Sequence, residues 1–187
     1  MREFDEMLIN FCAPTLFGVK QANLFSCSER DAFEYVKKYN MFLNQKDIYF
    51  RVLYQCKNRY FIIVYRSKAL KRYFQNRTVT NYLTSLGYPA FYEQENNLEM
   101  LLDCLSKRTS CHKDFPHEIG FFLGYPMEDV FHFIYQKGLN YKFCGYWKVY
   151  SNEKQALKMF RIYKRCKVVL QNKTAAGTSV LEILGVS

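Results

Sequence analysis

The chain has 187 residues, of which 49% are hydrophobic, so it can bury a sizeable core and lacks the composition of a disordered protein. Its formal net charge of +10 favours an acidic partner: a nucleic acid, a phosphorylated ligand or an acidic protein surface. The sequence has no apolar signal segment and no run of about 18 apolar residues, so no membrane helix is predicted. We expect a cytoplasmic protein with a single domain, residues 1–187, whose seven cysteines are reduced thiols because none forms a CxxC pair.

Two helices are predicted within the first 40 residues. Apolar residues at helical spacing predict the first over residues 2–11. Pro14 is expected to end it, because proline disfavours helical geometry at the preceding residue. Ser28 is a candidate N-cap for the second helix, which is predicted to run to about Tyr39 with Phe33 on its inner side.

A β-hairpin is predicted from two stretches rich in β-branched and aromatic residues, Ile48–Tyr54 and Tyr60–Tyr65, joined by the loop Gln55–Arg59. The second stretch, YFIIVY, is apolar at successive positions, which favours a central strand buried on both faces. Cys144–Tyr150, CGYWKVY, predicts a further strand. The predicted fold class is α+β: a short antiparallel sheet, made of the hairpin 48–65 and the strand near 144–150, flanked by several helices.

The remaining predicted helices follow from capping residues. They begin at or near Ser67, Thr78, Asn97 and Asn152, and the last is long, ending at about Leu170. The inner side of this long helix is predicted to carry Ala156, Leu157, Phe160 and Tyr163.

The stretch FPHEIGFFLGYP, residues 115–126, predicts two short helices: Pro116 begins one, Gly124 ends it, and Pro126 begins the next. This outline resembles a DNA-binding helix-turn-helix. However, the second helix begins with Glu128 and Asp129, which phosphates would repel, so we do not expect it to contact DNA bases.

Two regions concentrate the positive charge. From Ile48 to Tyr92, 45 residues contain no Asp or Glu, and within the long predicted helix the cations at i, i+4, i+7 and i+11 form one stripe. Cations interleaved with tyrosines favour binding to phosphates and unpaired bases, although a merely solvated basic surface is the alternative. The predicted nucleic-acid-binding residues are Arg66, Lys68, Lys71, Arg72, Arg77, Lys154, Lys158, Arg161 and Arg165.

Candidate catalytic residues are His117, Glu118 and Lys148, since a ribonuclease-like reaction needs an acid, a base and a cation near the phosphate. Neighbouring residues on a helix point about 100° apart, so His117 and Glu118 are expected to serve different partners. Cys104, Cys111, His112 and His117 are close in sequence, but their spacing matches no zinc pattern. No metal and no cofactor is therefore predicted.

Three stretches together resemble an uncharacterised family of small clostridial proteins, a domain of unknown function: CAPTLFGVKQANLF (12–25), FPHEIGFFLGYPMEDVFHFI (115–134) and CGYWKVY (144–150). The similarity extends over most of the chain, with HEIG, FLGYP and GYWKVY as its most specific motifs. It implies an anaerobic bacterial, cytosolic setting and brings no established activity. By the family's pattern, the residues to watch are Cys12, Lys20, Arg66, His117, Glu118, Tyr125, Trp147 and Lys148.

Three functional hypotheses follow. The first is a basic binding protein that engages nucleic acid or a nucleoprotein, with an inhibitor of a host-defence nuclease, such as a CRISPR effector, as its narrower form. The second is an enzyme or cofactor protein, ribonuclease-like or linked to iron, haem or redox chemistry, with a site around His117 and Glu118. The third is a protein-binding module that uses the aromatic residues as its contact surface.

Overall fold

The computed structural model describes residues 3–28, 32–91, 97–111 and 115–186. Its helices are α1 Glu3–Leu16, α2 Ala32–Leu43, α3 Ser67–Tyr73, α4 Arg77–Ser85, α5 Asn97–Cys111, α6 Ile119–Phe122, α7 Met127–Tyr135, α8 Glu153–Ala175 and α9 Val180–Ile183, with a 3₁₀ turn at Asn44–Lys46. Its strands are β1 Ala22–Cys27, β2 Tyr49–Cys56, β3 Arg59–Tyr65, β4 Phe143–Cys144 and β5 Lys148–Val149. Within these ranges no helix is both long and apolar enough to cross a membrane.

The centre of the fold is an antiparallel sheet with the strand order β1-β3-β2. Successive side chains of β3 alternate between two cores: Ile62 and Val64 belong to one, whereas Ile63 and Tyr65 belong to the other. The prediction of a central strand buried on both faces is therefore confirmed. The continuous apolar run of β3 follows from this position, since neither face is left to water.

Helices cover both faces of the sheet. The residues of α1, α2 and α9 and the buried Leu170 of α8 form the core on one face. The residues of α3, α4, α5, α6 and α7 form the core on the other. A third, small apolar cluster joins the N-terminal half of α8 to the β4–β5 hairpin, with Trp147 and Tyr163 among its members. The single-domain prediction stays a prediction, and two cores that share one sheet are consistent with it.

The predicted α+β class is confirmed, with one rearrangement of strands. The segment near 144–150 forms its own two-stranded sheet, β4–β5, and the third strand of the main sheet is β1, which was not predicted. The sequence ANLFSC of β1 contains polar Asn23 and Ser26, so pairing with β3 stabilises it more than local propensity does. The hairpin turn is also tighter than predicted: Cys56 pairs with Arg59, and Lys57 adopts the left-handed region with φ 52°.

Helix α1 continues past Pro14 to Leu16, so the prediction that the proline ends it was wrong. Pro14 lies in the last turn of the helix, where it removes only one intrahelical hydrogen bond. The guanidinium of Arg66 then covers the helix end: its Nε donates to the Thr15 carbonyl at 2.7 Å and its Nη2 to the Leu16 carbonyl at 2.6 Å. Carbonyls at a helix C-terminus lack partners within the helix, so this contact satisfies them.

Two predicted inner faces were partly wrong. Phe33 is 57% exposed, because α2 turns Tyr35 and Tyr39 towards the core instead. Leu157 of α8 is 45% exposed, whereas the predicted Ala156 and Tyr163 are buried. In both helices the apolar residues span more than one face, so helical spacing did not decide which of them face inward.

The capping predictions were confirmed at Asn152, whose side chain accepts a hydrogen bond from the Gln155 amide. At α4 the cap is Asn76 rather than Thr78. Ser28, the predicted cap of α2, instead hydrogen-bonds Glu3 of α1. Gly124 ends α6 in the left-handed region, with φ +67°, as predicted.

Leu170 provides a test of the packing of α8 against the rest of the protein. It is fully buried among residues of α1 and α9. Leu170→Ala is expected to lower the free energy of unfolding by about 2–5 kcal/mol, because it removes buried methyl groups and leaves a cavity. Urea denaturation measures this change. Val169→Ala, at a neighbouring position that is 40% exposed, is the matched control and should change stability by only about 0.5 kcal/mol. Equal effects of the two substitutions would contradict the burial of Leu170.

Candidate functional site

The first candidate site is the solvent face of α8. The helix buries Ala156, Tyr163 and Leu170, and this directs the opposite stripe towards water. We define the basic face as the five exposed cations within residues 154–165 of that helix: Lys154, Lys158, Arg161, Lys164 and Arg165.

The cations of the basic face have no acidic partners within the described parts of the chain. None of the five forms an ion pair with any residue that the structure describes. The only acidic residue of α8 is Glu153, which lies 3.3 Å from Lys142 Nζ. Like charges one helical turn apart repel each other, so an unoccupied basic face costs some stability and an anion bound there would offset that cost.

In the second basic region, from Ile48 to Tyr92, the fold pairs some of the cations with acidic residues. Arg51 forms ion pairs with Glu99 and Asp103 of α5, and Arg59 lies 3.2 Å from Glu3. These acids come from distant parts of the sequence. The segment has no acidic residue in its sequence, but in the folded protein acidic residues from other segments lie beside it.

The predicted nucleic-acid-binding residues in this region divide into two groups. Arg66 donates to the carbonyls of Thr15, Leu16 and Lys46, so its guanidinium has a structural role, and its contact with nucleic acid stays a prediction. The others lie on α3 and α4 without an ion pair to a described residue: Lys68, Arg72 and Arg77 are exposed and Lys71 is half-buried.

A shallow aromatic groove of about 380 Å³ runs beside the basic face, between α8 and the β4–β5 hairpin. Tyr146 and Leu157, which are 39% and 45% exposed, contribute apolar surface next to the cations. The groove is lined by Gly145, Tyr146, Leu157, Phe160, Arg161 and Lys164.

The second candidate site is an aromatic pocket of about 410 Å³ between α6, α7 and the β4–β5 hairpin. Its volume lies at the lower end of the range for small-molecule sites, about 300–1,000 Å³. Six of its thirteen lining residues carry rings, and Tyr125 is stacked on Trp147 with 5.4 Å between the ring centres. Its lining comprises Phe115, His117, Ile119, Gly120, Tyr125, Asp129, Val130, Phe133 and residues 144–148.

Asp129 fixes one wall of the pocket. Its buried carboxylate accepts hydrogen bonds from Trp147 Nε1 at 2.7 Å and from the amides of Tyr150 and Ser151 at 2.9 and 2.8 Å. Three donors on one buried carboxylate hold the β4–β5 hairpin against the start of α7. The sequence prediction placed Asp129 at a helix N-terminus but did not foresee this role.

Two glycines allow the walls to approach each other. A Cβ atom on Gly120 would lie 2.9 Å from Val130 of α7, and one on Gly145 would overlap the ring of Phe160. Only glycine permits such close approach without displacing a neighbour. The glycines of HEIG and CGYWKVY are therefore explained by packing around this pocket.

The structure brings together two of the three predicted catalytic residues. His117 is exposed and contacts the Phe133 ring edge-on at 5.1 Å, while Lys148 Nζ lies 5.6 Å from the centre of the same ring. Lys148 Nζ also donates to the Gly138 carbonyl at 2.8 Å and lies over the Tyr141 ring at 4.7 Å. Both side chains line the pocket.

Glu118 lies elsewhere. It is 5% exposed, and its Oε1 accepts from Arg108 Nε at 2.6 Å and from the Tyr88 hydroxyl at 3.1 Å. Arg108 also donates to the Leu86 carbonyl at the end of α4, so this ion pair connects α4, α5 and α6. Glu118, which had no structural role in the sequence prediction, therefore has one, and its carboxylate does not face the pocket with His117.

Lys20 is buried beneath the wall of the pocket. It is 4% exposed, donates to the Ala22 carbonyl at 2.6 Å and lies 4.9 Å from the centre of the Tyr125 ring. Burial lowers the pKa of its amine to about 7, because the charged form loses hydration. Burial also raises the pKa of the nearby Cys12 thiol and raises that of Tyr125 to about 12. The cysteine and the lysine are therefore core groups.

The residues weighed for a metal site do not assemble in the described part of the chain, where no group of three or more His, Cys, Asp or Glu side chains could hold an ion. Cys104 lies near Arg108 and the Gly87 carbonyl. His112 and the side chain of Cys111 lie outside the described residues.

The three stretches that suggested a family meet at the aromatic pocket. The first provides Lys20 beneath Tyr125, the second provides His117, Tyr125 and Asp129, and the third provides residues 144–148. A family model described as "Protein of unknown function (DUF3793)" matches residues 8–184. The chain belongs to the DUF3793 family. No curated protein and no solved structure gives a significant match.

The expectation of an uncharacterised family is thus confirmed, and the clostridial setting stays a prediction. Sequence reasoning missed several residues of the pocket in this DUF3793 protein, notably Phe115, Val130 and Phe133. Phe115 and Phe133 fall within the motif stretch 115–134, but an apolar residue there has the same sequence signal whether it faces a core or a pocket.

Asp129 can be tested by substitution. Asp129→Ala leaves two buried donors and one partly buried donor without their acceptor, and we expect a loss of about 3 kcal/mol or more in the free energy of unfolding. Trp147 is the only tryptophan, so its fluorescence should also shift to longer wavelength as water reaches the ring. Glu128→Ala, at the exposed neighbouring position, is the control and should change neither stability nor emission appreciably. An unaltered Trp147 spectrum in Asp129→Ala would contradict the anchoring role.

Lys20 predicts a pH dependence of stability. Between pH 7 and 10.5 the unfolded chain binds a proton that the folded chain does not, so stability rises with pH in this window. The stability of wild type relative to Lys20→Met should therefore increase from about pH 7 to about pH 9, with a slope that approaches about 1.4 kcal/mol per pH unit. Urea unfolding of both proteins at several pH values measures the difference. Parallel stability profiles would show that the amine is not desolvated.

Proposed function

We propose that this DUF3793 protein binds single-stranded nucleic acid, free or within a nucleoprotein, along the basic face of α8. The observation that supports the proposal is the exposure of five cations on one helix without an acidic partner among the described residues. Elsewhere on the chain, Arg51, Arg59, Arg66 and Arg108 are already occupied by carboxylates or carbonyls.

The geometry suits a polyanion better than a single small anion. The stripe from Lys154 to Arg165 extends over about 16 Å at 1.5 Å per residue. A single phosphate or carboxylate contacts only a part of such a stripe, whereas consecutive phosphates of one strand contact it along its length. Release of the counterions condensed on that strand then favours binding.

The aromatic groove favours single strands over duplex. Tyr146 is partly exposed next to Arg161 and Lys164, so an unpaired base has a ring to stack on while its phosphates contact the cations. Paired bases are stacked within the helix and do not offer their faces in this way. At the acidic start of α7, the Asp129 carboxylate is already occupied by its three donors.

The cytoplasmic location is part of this proposal, because such a partner is found there. The narrower hypothesis of an inhibitor of a host-defence nuclease, such as a CRISPR effector, stays a prediction and concerns which nucleoprotein is bound. The charge arrangement is its support.

The proposal predicts binding that weakens with salt. Fluorescence anisotropy with labelled single-stranded RNA and DNA should give measurable affinity at about 50 mM salt and a steep loss as salt rises. The variant Lys158→Gln/Arg161→Gln/Arg165→Gln should bind more weakly, and the slope of log affinity against log salt should fall by about 2, since each phosphate contact contributes about 0.7. The same strand annealed to its complement should bind less tightly than the single strand.

A matched control separates the basic face from net charge. Lys37, Lys38 and Lys107 are exposed cations that belong to α2 and α5 rather than to α8. Replacing these three by glutamine changes the net charge by the same amount and should leave affinity nearly unchanged. If wild type shows no binding at about 50 mM salt, or if the control loses as much affinity as the α8 variant, the proposal is wrong.

A further inference from the structure

We propose that the aromatic pocket is a second binding site, which takes a planar aromatic ring bearing a phosphate, that is, a nucleotide. The pocket is distinct from the basic face of α8, and its occupation does not depend on polyanion binding there. Nothing in the family description assigns it.

The pocket has surfaces for a flat ring. Tyr125 and Trp147 are stacked within 29° of parallel and form one wall, and Phe133 forms another part of the lining. Phe115 and Tyr146 are 45% and 39% exposed. Large apolar residues left in water around a concave site favour an apolar ligand that would cover them.

The wall is preorganised. Asp129 holds the Trp147 indole by its Nε1, and the ring of Phe160 supports the same indole edge-on at 4.5 Å. Gly145 permits this contact, because a side chain there would overlap Phe160. Rings that are fixed before binding lose little conformational entropy when a ligand stacks on them.

The charged groups of the pocket select an anion. Lys148 uses one of its three ammonium donors for the Gly138 carbonyl, and no further hydrogen bond or ion pair to a described residue occupies the other two. His117 is exposed beside the same Phe133 ring. Among the described lining residues the only carboxylate is that of Asp129, and both of its oxygens are occupied by donors from the hairpin. A phosphate near Lys148 and His117 therefore meets donors and no free carboxylate of a described lining residue.

The pocket lies next to the groove beside α8. Gly145 and Tyr146 line both the pocket and the groove, so one loop separates the ring-binding surface from Arg161 and Lys164. A nucleotide in the pocket has two possible sources: a free mononucleotide or the terminal nucleotide of a strand whose other phosphates lie on the basic face. The volume of about 410 Å³ suits one such unit.

Trp147 supplies a direct readout, because it is the only tryptophan and lines the pocket. We expect AMP to quench its fluorescence in a saturable manner. Adenosine, which lacks the phosphate, should bind at least about tenfold more weakly, a difference ordinary for one charge-assisted contact. Ribose 5-phosphate, which lacks the ring, should not quench.

Substitutions at the pocket identify the anion-binding groups. Lys148→Met should reduce AMP affinity about tenfold and leave adenosine affinity unchanged, since only the phosphate contact is lost. His117→Gln is a second variant. Its position is exposed, so the fold should be unaffected, and it should also weaken the binding of AMP. Lys142→Gln, at a neighbouring cation outside the pocket, is the charge-matched control and should bind AMP as wild type does.

A short single strand distinguishes the two sources. If AMP quenches Trp147 and the strand does not, the ligand is a free nucleotide. If the strand also quenches Trp147, and Lys148→Met abolishes this quenching, the ligand is the end of a strand. Both outcomes support the inference. The absence of saturable quenching by AMP and by the strand, up to about 5 mM AMP, would overturn it. So would equal affinity for AMP and adenosine in wild type.

The two proposals fail separately. If the Lys158→Gln/Arg161→Gln/Arg165→Gln variant and wild type both fail to bind strands but AMP still quenches Trp147, only the nucleic-acid proposal is wrong. If strands bind α8 in a salt-dependent manner but neither AMP nor a strand perturbs Trp147, only the pocket inference is wrong.

Discussion

Both candidate sites depend on the hydrogen bonds that the buried carboxylate of Asp129 accepts. It accepts from the Trp147 indole and from the amides of Tyr150 and Ser151, and thereby holds the β4–β5 hairpin against α7. The same contact fixes the pocket wall and the residues that lead directly into α8, whose N-cap is Asn152. Because a buried carboxylate is stable only when its oxygens are satisfied, the hairpin, the pocket and the start of the basic helix form one unit.

The fold pairs some of the cations with acids or carbonyls and leaves others without an ion pair to a described residue. Arginines from the acid-free segment meet acids from α1 and α5, and Arg66 covers the end of α1. The cations of α8 meet none among the described residues. Arginine suits paired and structural positions because its planar guanidinium satisfies several acceptors at once. Exposed cations without an ion pair to a described residue also lie on α2, α3, α4 and α5, but those of α8 form a stripe along one helix beside an aromatic groove, which is the arrangement that favours recognition of a polyanion.

Local signals predicted some elements well and failed at others for identifiable reasons. The central strand β3 was predicted because burial on both faces leaves a continuous apolar run, and α8 because Asn152 and a long periodic stretch mark it. Strand β1 was missed because its stability comes from pairing with β3. Phe33 and Leu157 were placed inward because helical spacing does not identify which apolar face is covered. Of the candidate catalytic residues, His117 and Lys148 share a pocket, whereas Glu118 pairs with Arg108.

By itself, the sequence determined the α+β class and the basic stripe of α8, since these depend on composition and on periodicity within one element, and it indicated an uncharacterised family. Only the tertiary structure decided that the three stretches meet around one aromatic pocket, that Glu118 and Arg66 are structural, and which cations remain unpaired. The physical reason is that hydrogen bonds and ion pairs join residues far apart in the chain, such as Arg51 with Glu99 and Trp147 with Asp129, and no local pattern encodes such pairs.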